Sequence, residues 1–204
     1  MRRVFYFATL YVTAACVSPA FAQVLTDTSN QAISLTIPFG NLTPGKTATP
    51  SATQVQFRLR SSSNSGYKVQ ASAVFTATPS ASVSGGSTIS ASDLGVGITS
   101  LGYASSVITP RTDTIVSGFN YDPGSVTAVN GLTPFGGMPS GRATLADIIN
   151  NSNLKILSGP KIATTETISS TNFITVTMKV GLLGQYFTPG TFSGTITLVI
   201  KNGQ

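Results

Sequence analysis

The chain has 204 residues, 41% hydrophobic and only 9% charged, with 12 Lys or Arg against 6 Asp or Glu and a formal net charge of +6. It holds no His, no Trp and one Cys, at position 16, which removes the commonest general base, the usual neutral metal ligand and any intrachain disulfide. Beyond Arg2 and Arg3 the basic residues are scattered from Lys46 to Lys201, whereas a nucleic-acid binder concentrates its positive charge, so no nucleic-acid partner is expected.

Residues 1–22, MRRVFYFATLYVTAACVSPAFA, have the three parts of a secretory signal. Arg2 and Arg3 are the positive region, Val4 to Val17 a mostly apolar stretch, and Ala20-Phe21-Ala22 a small-x-small cleavage site before Gln23. The apolar stretch falls short of the ~20 residues that span a bilayer, so cleavage is expected and no integral membrane segment remains. Lipid attachment at Cys16 is disfavoured because Thr13 stands where such sites carry an aliphatic residue. Cleavage takes the only Cys with it and lowers the net charge from +6 to +4 by removing Arg2 and Arg3. The mature protein is read as a single domain over residues 23–204, secreted through the periplasm towards the cell surface.

The pattern that follows has period two. Ile33, Leu35, Ile37 and Phe39 alternate with Ser34, Thr36 and Pro38, and Val55, Phe57 and Leu59 alternate with Gln56, Arg58 and Arg60. Tyr67, Val69, Ala71, Ala73 and Phe75 share a third face. Ser61 to Gly66 is a polar turn between the last two, so 54–60 and 66–76 are expected to pair as an antiparallel hairpin. Leu94, Val96 and Ile98 suggest a further strand. From Tyr103 to Gly141, Pro110, Asp122-Pro123-Gly124, Asn130-Gly131 and Pro134 separate short apolar pieces, which implies short strands or a long decorated connection. One short helix is expected within 140–150, capped by Ser140 and apolar at Leu145, Ile148 and Ile149. Ile174 to Val180 and Phe192 to Ile200 alternate again and are read as a second antiparallel pair across Pro189-Gly190. No sorting or anchoring signal is read after Ile200, so a surface protein of this kind would be held by another protein.

Many short strands, frequent turns and almost no helix predict an all-β fold, an antiparallel β-sandwich of immunoglobulin-like or jelly-roll layout. The loose stretches at 76–93 and 117–141 interrupt the regular segments that a transmembrane barrel needs.

Catalytic patterns do not hold together. Gly40-Asn41-Leu42-Thr43-Pro44-Gly45-Lys46-Thr47 satisfies the phosphate-loop spacing, but that loop works only where a helix begins at the Lys, and Pro50 and an alternating strand follow. Ser158-Gly159-Pro160-Lys161 matches a Ser–Lys spacing, which Gly-Pro keeps off a helix. The six mature acids, Asp27, Asp93, Asp113, Asp122, Asp147 and Glu166, stand far apart in sequence. A calcium site at Asp122 would rest on one carboxylate in a turn. The chain is therefore read as a non-enzyme without a cofactor or metal.

Three features resemble the chaperone–usher pilins and spore-coat-U-like secreted proteins of bacteria. They are the cleaved signal, the segment Ile33 to Phe39, and Gly190-Thr191-Phe192-Ser193-Gly194-Thr195-Ile196-Thr197-Leu198-Val199-Ile200. In such pilins a neighbouring subunit donates an alternating strand to complete the sandwich. The resemblance thus implies a structural subunit of a fibre, pilus or coat, with Ile33, Leu35, Ile37 and Phe39 as the assembly strand and protein partners that include a periplasmic chaperone. Many relatives carry a disulfide that is absent here, and 103–141 matches no part of that pattern. The competing reading is a monomeric surface module that binds a glycan or protein through 103–141, with Tyr103, Phe119, Tyr121, Phe135 and Tyr186 as candidate contact aromatics.

Overall fold

The computed structural model describes residues 23–26, 33–42, 51–79, 90–125, 141–164, 172–182 and 192–202. The signal segment, Ser140, residues 43–47 of the phosphate-loop pattern, Phe135 and Tyr186 lie outside them.

The described chain is mostly β-strand, in two sheets with one helix. In chain order the strands are β1 (Gln23–Leu25), β2 (Ile33–Leu42), β3 (Ser51–Leu59), β4 (Tyr67–Pro79), β5 (Leu94–Tyr103), β6 (Thr114–Ile115), β7 (Leu154–Gly159), β8 (Ile174–Leu182) and β9 (Phe192–Asn202), with helix α1 (Leu145–Asn150) before β7. The four-stranded sheet runs β1-β3-β8-β5 and the five-stranded sheet β2-β9-β4-β7-β6. All pairings are antiparallel except β1 with β3, which is parallel.

The alternation read from the sequence is realised as burial. Phe57 and Leu59 of β3, and Ile174, Val176, Met178 and Val180 of β8, are buried, as are Leu94, Val96 and Ile98 of β5. On β4, Tyr67, Val69 and Ala71 are buried while Lys68, Val74 and Thr76 are exposed. One apolar cluster joins these residues to Ile156, Leu157, Ile196 and Ile200 of the five-stranded sheet.

Both expected hairpins are corrected. β3 pairs with β8 over nine residues, and β4 pairs with β9 and β7, so 54–60 and 66–76 lie in different sheets. Likewise β8 and β9 are not partners. Each of the two connections crosses between sheets, because a strand with one apolar face is equally satisfied by a turn that folds it beside its neighbour or by one that carries it to the other sheet. The 60–66 crossing is held from outside: the Ser61 carbonyl accepts the N–H groups of Ile162 and Ala163, at 3.0 and 3.1 Å. Gly66, at φ +82°, is so close to the Gly159 carbonyl that a Cβ there would collide with it.

Helix α1 falls within the expected 140–150 window, but its cap is Thr144, not Ser140. The Asp147 carboxylate accepts the Thr144 backbone N–H at 2.7 Å and its hydroxyl at 2.9 Å, a capping-box contact that starts the helix. Leu145 and Ile148 are buried; Ile149 is 39% exposed and does not share their side.

Candidate functional site

A sheet presents its assembly chemistry at its edges, where unpaired N–H and C=O groups invite another strand. The four edges differ here. β1 and β6 are three and two residues long. β5 is ten residues long but is covered by the chain between β5 and β7: the Val96 N–H donates to the Ala143 carbonyl at 3.2 Å, and Gly95 and Thr144 form an isolated antiparallel bridge. The backbone at Tyr121 lies directly on Gly97, where a Cβ would collide with the Tyr121 carbonyl oxygen. The fourth edge, β2, is also ten residues long, and its only strand partner among the described residues is β9.

Ile33, Leu35, Ile37 and Phe39 all stand on β2. Their register partners are Ile200, Leu198, Ile196 and Gly194 of β9 in the same chain, so the candidate assembly strand belongs to its own sheet. Its position at the rim fits the residue between Ile37 and Phe39: Pro38 has no N–H to give a central ladder and is tolerated on edge strands. The register is interrupted between Phe39 and Leu42. Gly40 to Leu42, the start of the phosphate-loop pattern, are thus strand residues.

The described part of the chain between β5 and β7 is built around buried polar contacts. Arg111 and Asp113 face each other in a two-pronged ion pair, with Nε to Oδ2 and one terminal nitrogen to Oδ1 both at 2.7 Å. Their side chains are 6% and 0% exposed. The guanidinium also donates to the Lys161 carbonyl at 2.8 Å and the Pro160 carbonyl at 3.1 Å, and the Tyr67 hydroxyl donates to Asp113 Oδ1 at 2.6 Å. This fastens the 104–113 loop to the start of β4 and the end of β7. Gly159 makes room for it, since a Cβ there would collide with the Asp113 carboxylate.

Burial opposes ionisation of Asp113, but the Arg111 guanidinium and the Tyr67 hydroxyl outweigh it and hold the carboxyl below its ordinary value. The same burial, reinforced by the Asp113 hydrogen bond, drives the Tyr67 phenol strongly upward. A neutral Tyr67 that donates and an ionised Asp113 that accepts are therefore mutually consistent states.

The candidate aromatics separate. Phe119 is 2% and Tyr121 6% exposed, and Phe119 belongs to the apolar cluster. This corrects their reading as ligand contacts: a ring on a turn-rich excursion gains more by covering the β5 side of the core than by facing water. The Tyr121 hydroxyl donates to the Ala143 carbonyl at 2.6 Å, and burial pushes its pKa up to about 12. Arg142 lies over the Tyr121 ring at 4.7 Å. Tyr103 is 51% exposed, with the Arg111 guanidinium 5.9 Å from its ring. A shallow depression of about 280 Å³ beside Phe119 is lined by Arg142, Asp147, Asn151 and Leu154.

The four carboxylates among the described residues all have structural work. Asp93 accepts the Ser90 backbone N–H at 2.7 Å before a single 3-10 turn, and Asp147 caps α1. Asp113 is held by Arg111. Asp122 accepts Lys179 Nζ at 2.6 Å and the Gly124 N–H at 2.8 Å, and the lysine holds its carboxyl below the ordinary value. The oxygens considered for calcium thus face an ammonium, and no group of three or more His, Cys, Asp or Glu suited to a metal occurs among the described residues. Ser158 lies in β7, and Lys161 Nζ donates to Asn64 Oδ1 at 2.9 Å. No helix among the described residues is long and apolar enough to cross a membrane.

Sequence reasoning missed the Arg111–Asp113–Tyr67 cluster. The Arg-x-Asp spacing is visible, but Tyr67 stands 46 residues from Asp113 and only the fold brings them together. No protein-family model, no curated protein and no solved structure matches the chain.

Proposed function

We propose that the chain is a non-catalytic, exported structural subunit of an extracellular fibre, pilus or surface coat, folded as a β-sandwich and joined to its partners through the β2 edge. One observation carries this reading: of two sheet edges ten residues long, β5 is covered by the protein's own backbone while β2 is paired on one side only among the described residues. Long edges left open are sticky, and a monomeric protein has reason to blunt them. An added strand at β2 would extend the five-stranded sheet by backbone hydrogen bonds, the recognition mode of strand addition. The single apolar cluster shared by both sheets supports the sandwich, and the structural engagement of the described carboxylates supports a non-catalytic role.

The test is the assembly state of purified residues 23–204, read by light scattering and electron microscopy. Concentration-dependent polymers, or a copurifying chaperone, are expected; a stable monomer with neither would overturn the reading. Proline at 34, 35, 36 and 37 in turn locates the contact. In an antiparallel pair alternate N–H groups face the partner strand and the open side. One parity is expected to lower stability, and the other to leave stability nearly unchanged while blocking assembly.

A further inference from the structure

The depression beside Phe119, about 280 Å³ in volume, is framed by three short pieces of chain. The 3-10 turn Ser117–Phe119 forms one wall, residues 141–143 a second, and α1 with the start of β7 a third. Backbone contacts fix the first two walls: the Ala143 N–H donates to the Gly118 carbonyl at 2.8 Å. The lack of a side chain at Gly118 permits this approach, since a Cβ there would stand 3.0 Å from the Gly141 carbonyl oxygen. Three exposed polar side chains, Arg142, Asp147 and Asn151, line the frame. The Arg142 guanidinium lies over the Tyr121 ring at 4.7 Å, a contact that holds it in place without consuming an N–H donor. The ion pairs among the described residues are Arg111–Asp113 and Lys179–Asp122, so Arg142 meets no carboxylate there. Both Thr144 donors go to Asp147 Oδ2, which keeps Oδ1 as an acceptor, and Asn151 Nδ2 donates to the Asp147 carbonyl at 2.9 Å, which keeps the Asn151 Oδ1 as another. Half-buried Leu154 adds an apolar patch.

We propose that this depression binds a single sugar ring that carries a carboxylate, a uronic acid residue. The Arg142 guanidinium presents a planar fork of N–H donors, the geometry that matches a carboxylate. The acceptor oxygens of Asp147 and Asn151 match sugar hydroxyls, which donate, and Leu154 offers contact to the C–H face of the ring. The volume lies at the low end of the roughly 300–1,000 Å³ of small-molecule sites, which suits one ring. An α-amino acid carries the same carboxylate, but its ammonium calls for an uncompensated negative charge. The Asp147 charge is already engaged at the α1 cap by the Thr144 N–H and hydroxyl, so hydroxyls are the better match. Tyr121 is a positioning residue here, acting through Arg142 and not on the ligand. The inference uses no residue of the β2 edge, so a monomeric protein would leave it standing.

The experiment is an NMR titration of the purified, nitrogen-15-labelled protein with glucuronate and galacturonate, against glucose, galactose and leucine. Saturable shifts of the Ala143, Asn151 and Leu154 amides are expected with a uronate, and affinity about tenfold or more lower for the neutral sugars, which lack the charge-assisted hydrogen bonds. Arg142→Gln should weaken uronate binding by the same factor. Arg142→Lys, which keeps the charge but not the fork, should bind more tightly than the Gln variant. Arg58→Gln, on β3, should titrate as the parent. Arg142 is exposed, so its replacement leaves the core intact, and the dispersion of each spectrum confirms folding. No shifts with either uronate, unchanged affinity in Arg142→Gln, equal binding of the neutral sugars, or tighter binding of leucine would overturn the proposal.

Discussion

The β5 and β2 edges are equally long, but the chain treats them in opposite ways. β5 receives the backbone of 143–144 along its open side and the Tyr121 carbonyl over Gly97, and the Tyr121 hydroxyl ties the two together at the Ala143 carbonyl. Among the described residues β2 has β9 as its one strand partner, with a proline in the strand and a register shift between Phe39 and Leu42. The difference teaches where the turn-rich 104–125 segment spends its residues: Phe119 and Tyr121 are buried beside β5, while the Arg111–Asp113 pair fastens the loop to β4 and β7. It also supports the role proposed for the β2 edge, since the same chain covers part of β5 with its own backbone.

The comparison can be broken most strongly at Asp113. Asp113→Ala leaves the buried Arg111 without its carboxylate and the Tyr67 hydroxyl without its acceptor. A loss of about 3 kcal/mol is expected, the low end for breaking a buried pair, because the Lys161 and Pro160 carbonyls still accept from Arg111. Urea unfolding measures it, and an unchanged midpoint would show that the pair does not fasten the loop. Next in size is Gly97→Ala, which pushes the Tyr121 backbone off β5 and should cost about 1–3 kcal/mol. Uncovering β5 should also create a second assembly edge, visible as new oligomers that β2 prolines do not remove.

Tyr121→Phe removes one hydrogen bond, worth about 1 kcal/mol. It also sharpens the alkaline limit. The folded pKa of Tyr121 lies above the ordinary ~10, so its contribution is complete below pH ~10 and is lost as pH rises towards about 12. The Phe variant should lose part of that alkaline sensitivity. Asp113 and Asp122 have the opposite sign: both are held below the ordinary carboxylate value, so their stabilisation is complete above pH ~4 and is lost as pH falls through their folded values. The smallest effect belongs to Asp122→Asn. Its pair with Lys179 is partly open to solvent, at 37% and 28% exposure, so no more than about 1 kcal/mol is expected, shrinking with salt.

Much of the local structure was legible in advance. Alternation located β2, β3, β4, β8 and β9, and the window around Leu145 located α1. The pairing was not: Ser61 to Gly66 has the composition of a hairpin turn, yet the strands on its two sides enter different sheets. Composition reports that a chain turns, not which partner the next strand meets. The edge residues Ile33 to Phe39 were singled out correctly as strand, while Phe119 and Tyr121 were misplaced as ligand contacts because a ring in a loop reads the same whether it faces water or the core. Arg111, Asp113 and Tyr67 could not be joined before the fold was known.

The sequence by itself determined which residues alternate, where the chain must turn, and that no His and a single Cys are present for chemistry. These are consequences of single residues and their near neighbours. Only the tertiary structure decided which edge is covered and which carboxylate meets which cation. Those depend on contacts between distant segments, and register across a sheet is set by burying one face of every strand at once, which no local stretch can specify.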